Sequence, residues 1–403
     1  MSKVNAILTG QPVLAQLLSL VPRQFISEIA EKHQSDHYYK NFKTFDHVVT
    51  MVYAAMSGAT TIRGVVLGLL AAGERISHLG IEFHPCKSTI SDANKARPSS
   101  VFADLYGSLY KFYAHLLSDS GFKSDVLERL IIIDSTTISL FKEILKAAGR
   151  PPADGKRKGG IKSHVSIESA LDVPNVVCYS ASAKSDSPYI GRVPLSAGDI
   201  AVFDMGYWNY ARFLEWSRRG VFFVTRQKEN ALYEVVMDIP VPSASDPRII
   251  SDQKIKVVDK ASGEVFELRR IVRSGDEESV ELVFWTNIFH FNADLIAKIY
   301  KRRWQIELLF KRLKHNFPLK YFLGDNVNAI EIQIWCCLIA HLLYKVVLKG
   351  SRRKWAFSNL ADLIRQHLFT YIDLTAFIND PERALREKIA RKTPSIDGQF
   401  KLF

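Results

Sequence analysis

Three carboxylates in this chain stand where acids can do chemistry. Asp134 and Asp204 each close an apolar run, and Glu307 sits inside a basic and aromatic stretch. The two runs, Leu127 to Ile133 and Ala201-Val-Phe203, read as short buried strands. An aspartate at the carboxyl end of such a strand emerges free to react, although the same position also suits a helix cap or a turn. Glu307 belongs to Tyr300-Lys-Arg-Arg303-Trp-Gln-Ile-Glu307-Leu-Leu-Phe-Lys-Arg-Leu-Lys314. Positions seven apart drift by only about 20° on a helix, so Tyr300, Glu307 and Lys314 share a face, with Arg303 one turn from Glu307. Trp304, Leu308, Leu309 and Leu313 are expected to form the adjoining buried stripe. Taken alone, the stretch reads equally well as an amphipathic helix carrying an Arg303–Glu307 ion pair.

Two strand-end aspartates and one helical glutamate together suit a hard divalent cation, which takes oxygen ligands from a few carboxylates plus substrate phosphate. A pair of such ions about 4 Å apart activates an attacking hydroxyl and stabilises the departing oxygen of a phosphoryl displacement. Around Glu307 lie Lys301, Arg302, Arg303, Lys311, Arg312, Lys314 and Lys320, a collar matched to a polyanion. The whole chain leans the same way, with 54 Lys and Arg against 42 Asp and Glu and a net charge of +12.

The remaining composition excludes other classes. At 403 residues, 47% hydrophobic and 24% charged, the chain is a soluble globular protein of two or three units. Its four cysteines, Cys86, Cys178, Cys336 and Cys337, form neither a zinc ribbon nor a disulfide framework. No secretory leader pattern opens the sequence. Ile332 to Leu348 is interrupted by Gln333, His341 and Lys345, so it reads as a core helix, no membrane is expected, and the cytoplasm is the expected location.

The elements that must position the acids follow from periodicity. Residues 1–120 read as helices: Leu14 to Ile29 around Pro22, Phe45 to Met56 before Gly58, Thr61 to Leu79, Ser88 to Arg97 stopped by Pro98, and Ser100 to about Leu117. The short helix, tight break and basic residues suit a helix-turn-helix that touches DNA, and equally a bundle with a polar turn. From 121 to 225 the period changes to strands: Leu127 to Ile133, Ile161 to Ser169, Asn175 to Ser182, Ala201 to Phe203 and Val221 to Val224, with a helix from Asn209 to Arg219. Residues 226–290 alternate as a β-rich insertion, with strands at Ile255 to Val258, Val265 to Val272 and Val280 to Phe284 and turns at Ala261-Ser-Gly263 and Ser274-Gly-Asp276. Residues 291–325 carry the Glu307 helix, and 326–403 are helical again, including Pro381 to Lys392 and a frayed end. The fold class is α/β: a mixed sheet interrupted by a β insertion, with helical N- and C-terminal regions.

The spacing of Tyr300, Arg303, Glu307 and Lys314 is the signature of DDE transposases of the bacterial insertion-sequence-four family, which this chain resembles from Arg129 to Phe317 and beyond. Ile131-Ile-Ile-Asp134 and Val202-Phe-Asp204-Met-Gly-Tyr207 look like that family's two aspartate blocks, and Val224-Thr-Arg226-Gln-Lys228 like the entry to its insertion. The helical N-terminus, especially Leu17 to Leu67, resembles the accessory domain of one branch. The resemblance implies a ribonuclease H-like core with Asp134, Asp204 and Glu307 as catalytic metal ligands for two Mg²⁺ ions, Mn²⁺ being the substitute. It implies that Tyr300, Arg303 and Lys314, with Arg226 and Lys228, hold double-stranded DNA, both terminal inverted repeats and target. It further implies a homodimer on paired ends in the bacterial cytoplasm, associated with the nucleoid. Two departures stand out: Met205 replaces the usual basic residue, and Ser185-Asp186 stands where a His-Asp pair is common.

Trp285 suits stacking on an unpaired base, although a tryptophan closing a strand is more often core. His164 suits a place behind the metal ligands, Lys156, Arg157, Lys158 and Lys162 a basic loop along DNA, and His315 a phosphate donor. The function these features imply is metal-dependent cleavage and strand transfer at insertion-sequence ends. The rivals are a ribonuclease H-like host nuclease and a DNA-binding protein that has lost catalysis.

Overall fold

The computed structural model describes residues 10–118, 128–139, 160–181, 184–275, 281–383 and 386. Lys156, Arg157 and Lys158, the strand residues Leu127, Ser182 and Val280, and most of Pro381 to Lys392 lie outside the described residues. Two compact units result: Met1–Leu109 with His315–Gly324 and Asn328–Phe403, and Tyr110–Lys314 with Asp325–Val327.

The first unit is helical. Pro22 separates α1 (Val13–Leu18) from α2 (Arg23–Lys32), because its ring cannot donate into a continuing helix. α3 (Thr44–Ser57) ends on Gly58 at φ 72°. The single helix expected from Thr61 to Leu79 is two: α4 (Ile62–Ala72) stops at Gly73, whose φ of 58° starts a 3₁₀ segment. α5 (Lys87–Ala96) and the first half of α6 (Ser99–Leu117) follow. Arg97 between them is no DNA contact: its side chain is fully buried, hydrogen-bonded to His47 and to the Ser35 and Phe42 carbonyls. α10 (Val327–Gly350) is apolar all round, with 83% of its most apolar window buried, as a core helix requires. Its Gln333 is satisfied, donating to the Pro318 and Tyr321 carbonyls and accepting from the Leu323 N–H. α11 (Phe357–His367) and α12 (Leu374–Asn379) complete the unit.

The second unit is built on one nine-stranded sheet, ordered β3-β2-β1-β4-β5-β9-β8-β7-β6. β1 (Leu130–Ser139), β2 (Gly160–Glu168) and β3 (Pro174–Ala181) form an antiparallel meander. β4 (Ile200–Phe203) and β5 (Phe222–Arg226) run parallel to β1, joined by α7 (Tyr210–Arg218). These first five strands, the second reversed, make the ribonuclease H-like half. The insertion strands β6 (Glu234–Asp238), β7 (Ile249–Val258), β8 (Val265–Ser274) and β9 (Glu281–Thr286) continue the same sheet through the β5–β9 pairing. They extend the core sheet directly. β6 is exposed at every position and so lacks the alternation that betrays a strand in sequence.

One face of the sheet buries Ile131, Ile133, Phe203, Leu268 and Trp285 against Phe213 and Trp216 of α7. Side chains alternate across a strand, so Asp134 points to the opposite face. α8 (Ala293–Lys301) and α9 (Trp304–Asn316) follow β9, and Tyr300 of α8 packs on Phe284, the neighbour of Trp285 that points the other way.

Candidate active site

Register brings the two aspartates side by side. Ile133 pairs with Phe203 as the last parallel rung between β1 and β4, and Phe203 pairs with Thr225 on β5. The next residues along these three strands are Asp134, Asp204 and Arg226. Asp134 does not end its strand, as the sequence suggested: β1 continues to Ser139 because it still pairs with β2 after β4 has stopped. Burial, opposed by the Ser135 N–H and by Arg303 but aided by the charges of Asp204 and Glu307, pushes the Asp134 carboxyl up to about 6.

The Tyr300-to-Lys314 helix is not continuous. Arg302 and Arg303 form a turn in which the N–H groups of 302, 303, 305 and 306 bond three residues back instead of four. The tightened turn carries Arg303 to both acids: Nη1 donates to Asp134 Oδ2 at 2.9 Å and Nη2 to Glu307 Oε1 at 2.5 Å. Its Nε is buried without an acceptor among the described residues. Tyr300, on α8, reaches Asp204 Oδ1 with its hydroxyl at 3.5 Å, and the Arg303 guanidinium lies 5.8 Å from its ring centre. Burial lowers the Arg303 pKa, but Tyr300 and the carboxylates outweigh it and the net direction is up.

The buried stripe of α9 is Ile306, Leu309, Phe310 and Leu313. Trp304 and Leu308, expected to be buried, are 58% and 45% exposed, because at 3.6 residues per turn they lie across α9 from Ile306, Leu309, Phe310 and Leu313. Lys314 and His315 are exposed two turns beyond Glu307. Arg226 ends β5 with its charge acting on Tyr300, whereas Lys228 lines a surface groove with Trp208, Tyr210 and Lys256. Trp285 is fully buried and gives its indole N–H to Gln227 at 3.0 Å, which leaves no face for a base.

Behind Asp134 lies a polar network that the sequence did not announce. Ser135 and His164 are cross-strand partners, and the Tyr207 hydroxyl bonds to both. His164 stacks on Tyr189 at 3.9 Å and bonds to Ser180 at 2.8 Å, and burial lowers its pKa to about 4, so it is neutral. Lys162, read as part of a DNA-facing loop, is instead paired with Asp186 at 2.8 Å. Tyr207, three residues after Asp204, thereby ties the two aspartate segments together; the only sequence signal was its place in the second aspartate block.

The donor chemistry fits a hard divalent cation, since the acids come from within β1, from just past β4 and from a helix. Among the described residues, however, no three acidic, histidine or cysteine side chains form a ready cluster. Arg303 stands between two of them.

A mixed sheet that presents acids along its central parallel strands to an arginine-bearing turn is an arrangement suited to a phosphoryl-transfer protein. Comparison makes the class specific. Residues 126–343 match the Transposase DDE domain, and residues 9–82 match a domain of unknown function, DUF4372. A putative transposase, y4zB, of Sinorhizobium fredii is 30% identical over 74% of this chain and 81% of its own length. The putative transposase for insertion sequence element IS4SA of Synechocystis is 28% identical over 64% and 71%, and a probable transposase for IS5377 of Geobacillus stearothermophilus 26% over 56% and 58%. A solved piggyBac transposase synaptic complex with hairpin DNA covers 97% of this chain and 87% of its own at a TM-score of 0.38 and 12% identity, too loose a likeness to carry an argument. The chain belongs to the DDE transposases, of the insertion-sequence-four type: enzymes that bind DNA, cleave it and transfer the cut strand, with dependence on a divalent metal.

Proposed function

We propose that Asp134, Asp204 and Glu307 are the metal-binding carboxylates of this transposase, for two Mg²⁺ ions replaceable by Mn²⁺. Tyr300, Arg303, Lys314 and Arg226 then hold phosphates of the element's inverted-repeat ends. The observation that carries the reading is one guanidinium reaching Asp134 and Glu307 together, with Tyr300 on Asp204. When bound, the ions would sharpen the attacking oxygen and stabilise the departing one.

Everything else falls to the chain itself. A water oxygen attacks phosphorus at the element's end, the bond from phosphorus to the 3′-oxygen breaks, and a 3′-hydroxyl is freed. That hydroxyl then attacks a second phosphate, forming a new bond to phosphorus and releasing the 3′-oxygen previously attached there. Arg303 and Tyr300 would fix the reacting phosphate in line, as bidentate arginine contacts do. Two chains on paired ends, working at the nucleoid in the cytoplasm, complete the proposal. The test replaces Asp134 or Asp204 by Asn, or Glu307 by Gln, and assays cleavage of inverted-repeat duplex in Mg²⁺. Loss of cleavage with end binding retained is expected; full cleavage by any of the three sinks the assignment.

A further inference from the structure

Arg303 does more in this structure than wait for a phosphate. Its two terminal nitrogens are committed to Asp134 and Glu307, two of the three acids assigned above to the metal; the Arg303 and Asp134 side chains are 18% and 17% exposed, and Glu307 is 31% exposed. The two acids come from separate elements, β1 and α9, and the guanidinium is the bridge between them. A divalent cation drawn to the same oxygens meets a fixed positive charge already on them. A DNA phosphate offers that guanidinium a bidentate partner of the geometry it prefers.

We propose that Arg303 couples metal loading to DNA engagement: its guanidinium holds Asp134 and Glu307 together until backbone phosphate draws it away, and only then are both carboxylates free for the cation. The proposal rests on the assignment of these acids as metal ligands. It goes further in giving one signature residue two successive partners. Because such coupling is reciprocal, cation and DNA must each raise the affinity for the other by the same factor.

The test measures Mn²⁺ binding to the full chain by electron paramagnetic resonance. Arg303→Gln is expected to bind Mn²⁺ at least tenfold more tightly than the wild type without DNA, and Asp134→Asn added to Arg303→Gln is expected to abolish the gain. If Arg303→Gln binds no more tightly while Asp134→Asn still removes the ion, the gate is wrong and the ligand assignment stands. If Asp134→Asn leaves Mn²⁺ binding unchanged in both backgrounds, the assignment fails and takes the gate with it. A second measurement reads the coupling in the wild-type chain itself, with Arg303→Gln as its control. At constant ionic strength, Ca²⁺ should tighten binding of a fluorescent inverted-repeat duplex several-fold for the wild type, and correctly folded Arg303→Gln should lose that increment; a wild-type affinity indifferent to Ca²⁺ overturns the coupling.

Discussion

Arg269 and Arg303, both in the sheet-bearing unit, hold carboxylates, and they differ in the respects that separate structure from chemistry. Arg269 is 4% exposed and meets Asp252, 3% exposed, through two hydrogen bonds, while its remaining Nη1 donates to the Ile288 and Phe291 carbonyls. One cation matches one anion within adjacent strands, and every guanidinium nitrogen has an acceptor. Arg303 is shared between two acids from different elements, a third acid lies close enough to act on it, and one buried donor is spare. The first arrangement is closed. The second carries excess negative charge and an unfilled valence, which is the condition of a site that expects a ligand.

The largest test of this contrast is on the closed side. Asp252→Ala leaves a buried guanidinium unpaired and should cost about 3–5 kcal/mol, read as a fall in denaturation midpoint. A loss below about 1 kcal/mol would put Arg269 in the same category as Arg303. Trp285→Ala, another closed-core change, should cost a similar amount, about 3–5 kcal/mol by thermal unfolding.

On the open side the sign reverses. The Asp134 carboxyl titrates near 6 in the fold, above its ordinary 3.8. Protonation therefore favours folding: the contribution is complete below about pH 3.8 and is lost as pH rises through 6. At pH 7, in chelator, Asp134→Asn should be more stable than the wild type by up to about 3 kcal/mol, and the gap should close toward pH 4. A gap that widens on acidification contradicts a carboxyl held up mainly by its burial.

Smaller effects sharpen the boundary. Tyr207→Phe removes the hydroxyl that joins Ser135 to His164, and should cost about 1–2 kcal/mol of stability while slowing cleavage more than it weakens DNA binding. Trp304→Ala, on the exposed flank of α9, should change stability by no more than about 0.5 kcal/mol. A loss like that of Trp285→Ala would mean that Trp304 packs in a core after all.

Much of this was legible because local patterns carried it. Apolar runs closed by Asp134 and Asp204 announced the strands, and the parallel register of β1 and β4 explains why two residues 70 positions apart in the chain end level. The spacing of Tyr300, Arg303 and Glu307 drew attention to residues that the fold does bring near the aspartates. What failed was phase and partnership. Trp304 and Leu308 are apolar yet lie across α9 from its buried side, and apolar character alone does not say which flank a neighbour covers; nor does any proline or glycine mark the turn at Arg302. Trp285 shows the same limit in a strand, where the sequence cannot say which face of a sheet is covered by a helix such as α7. The Lys162–Asp186 pair and the Tyr207 bridge join distant segments, and nothing in the order of residues announces such contacts.

The central claim, that Asp134 gives its oxygens to a metal during DNA cleavage, is tested most directly by exchanging the ligand atom. Asp134→Cys puts a soft sulfur where a hard oxygen stood, so its preference should move from Mg²⁺ toward Mn²⁺. Assayed on inverted-repeat duplex, the variant should be inactive with Mg²⁺ and recover cleavage with Mn²⁺. A folded, DNA-binding variant that cleaves equally with both ions, or with neither, contradicts the account.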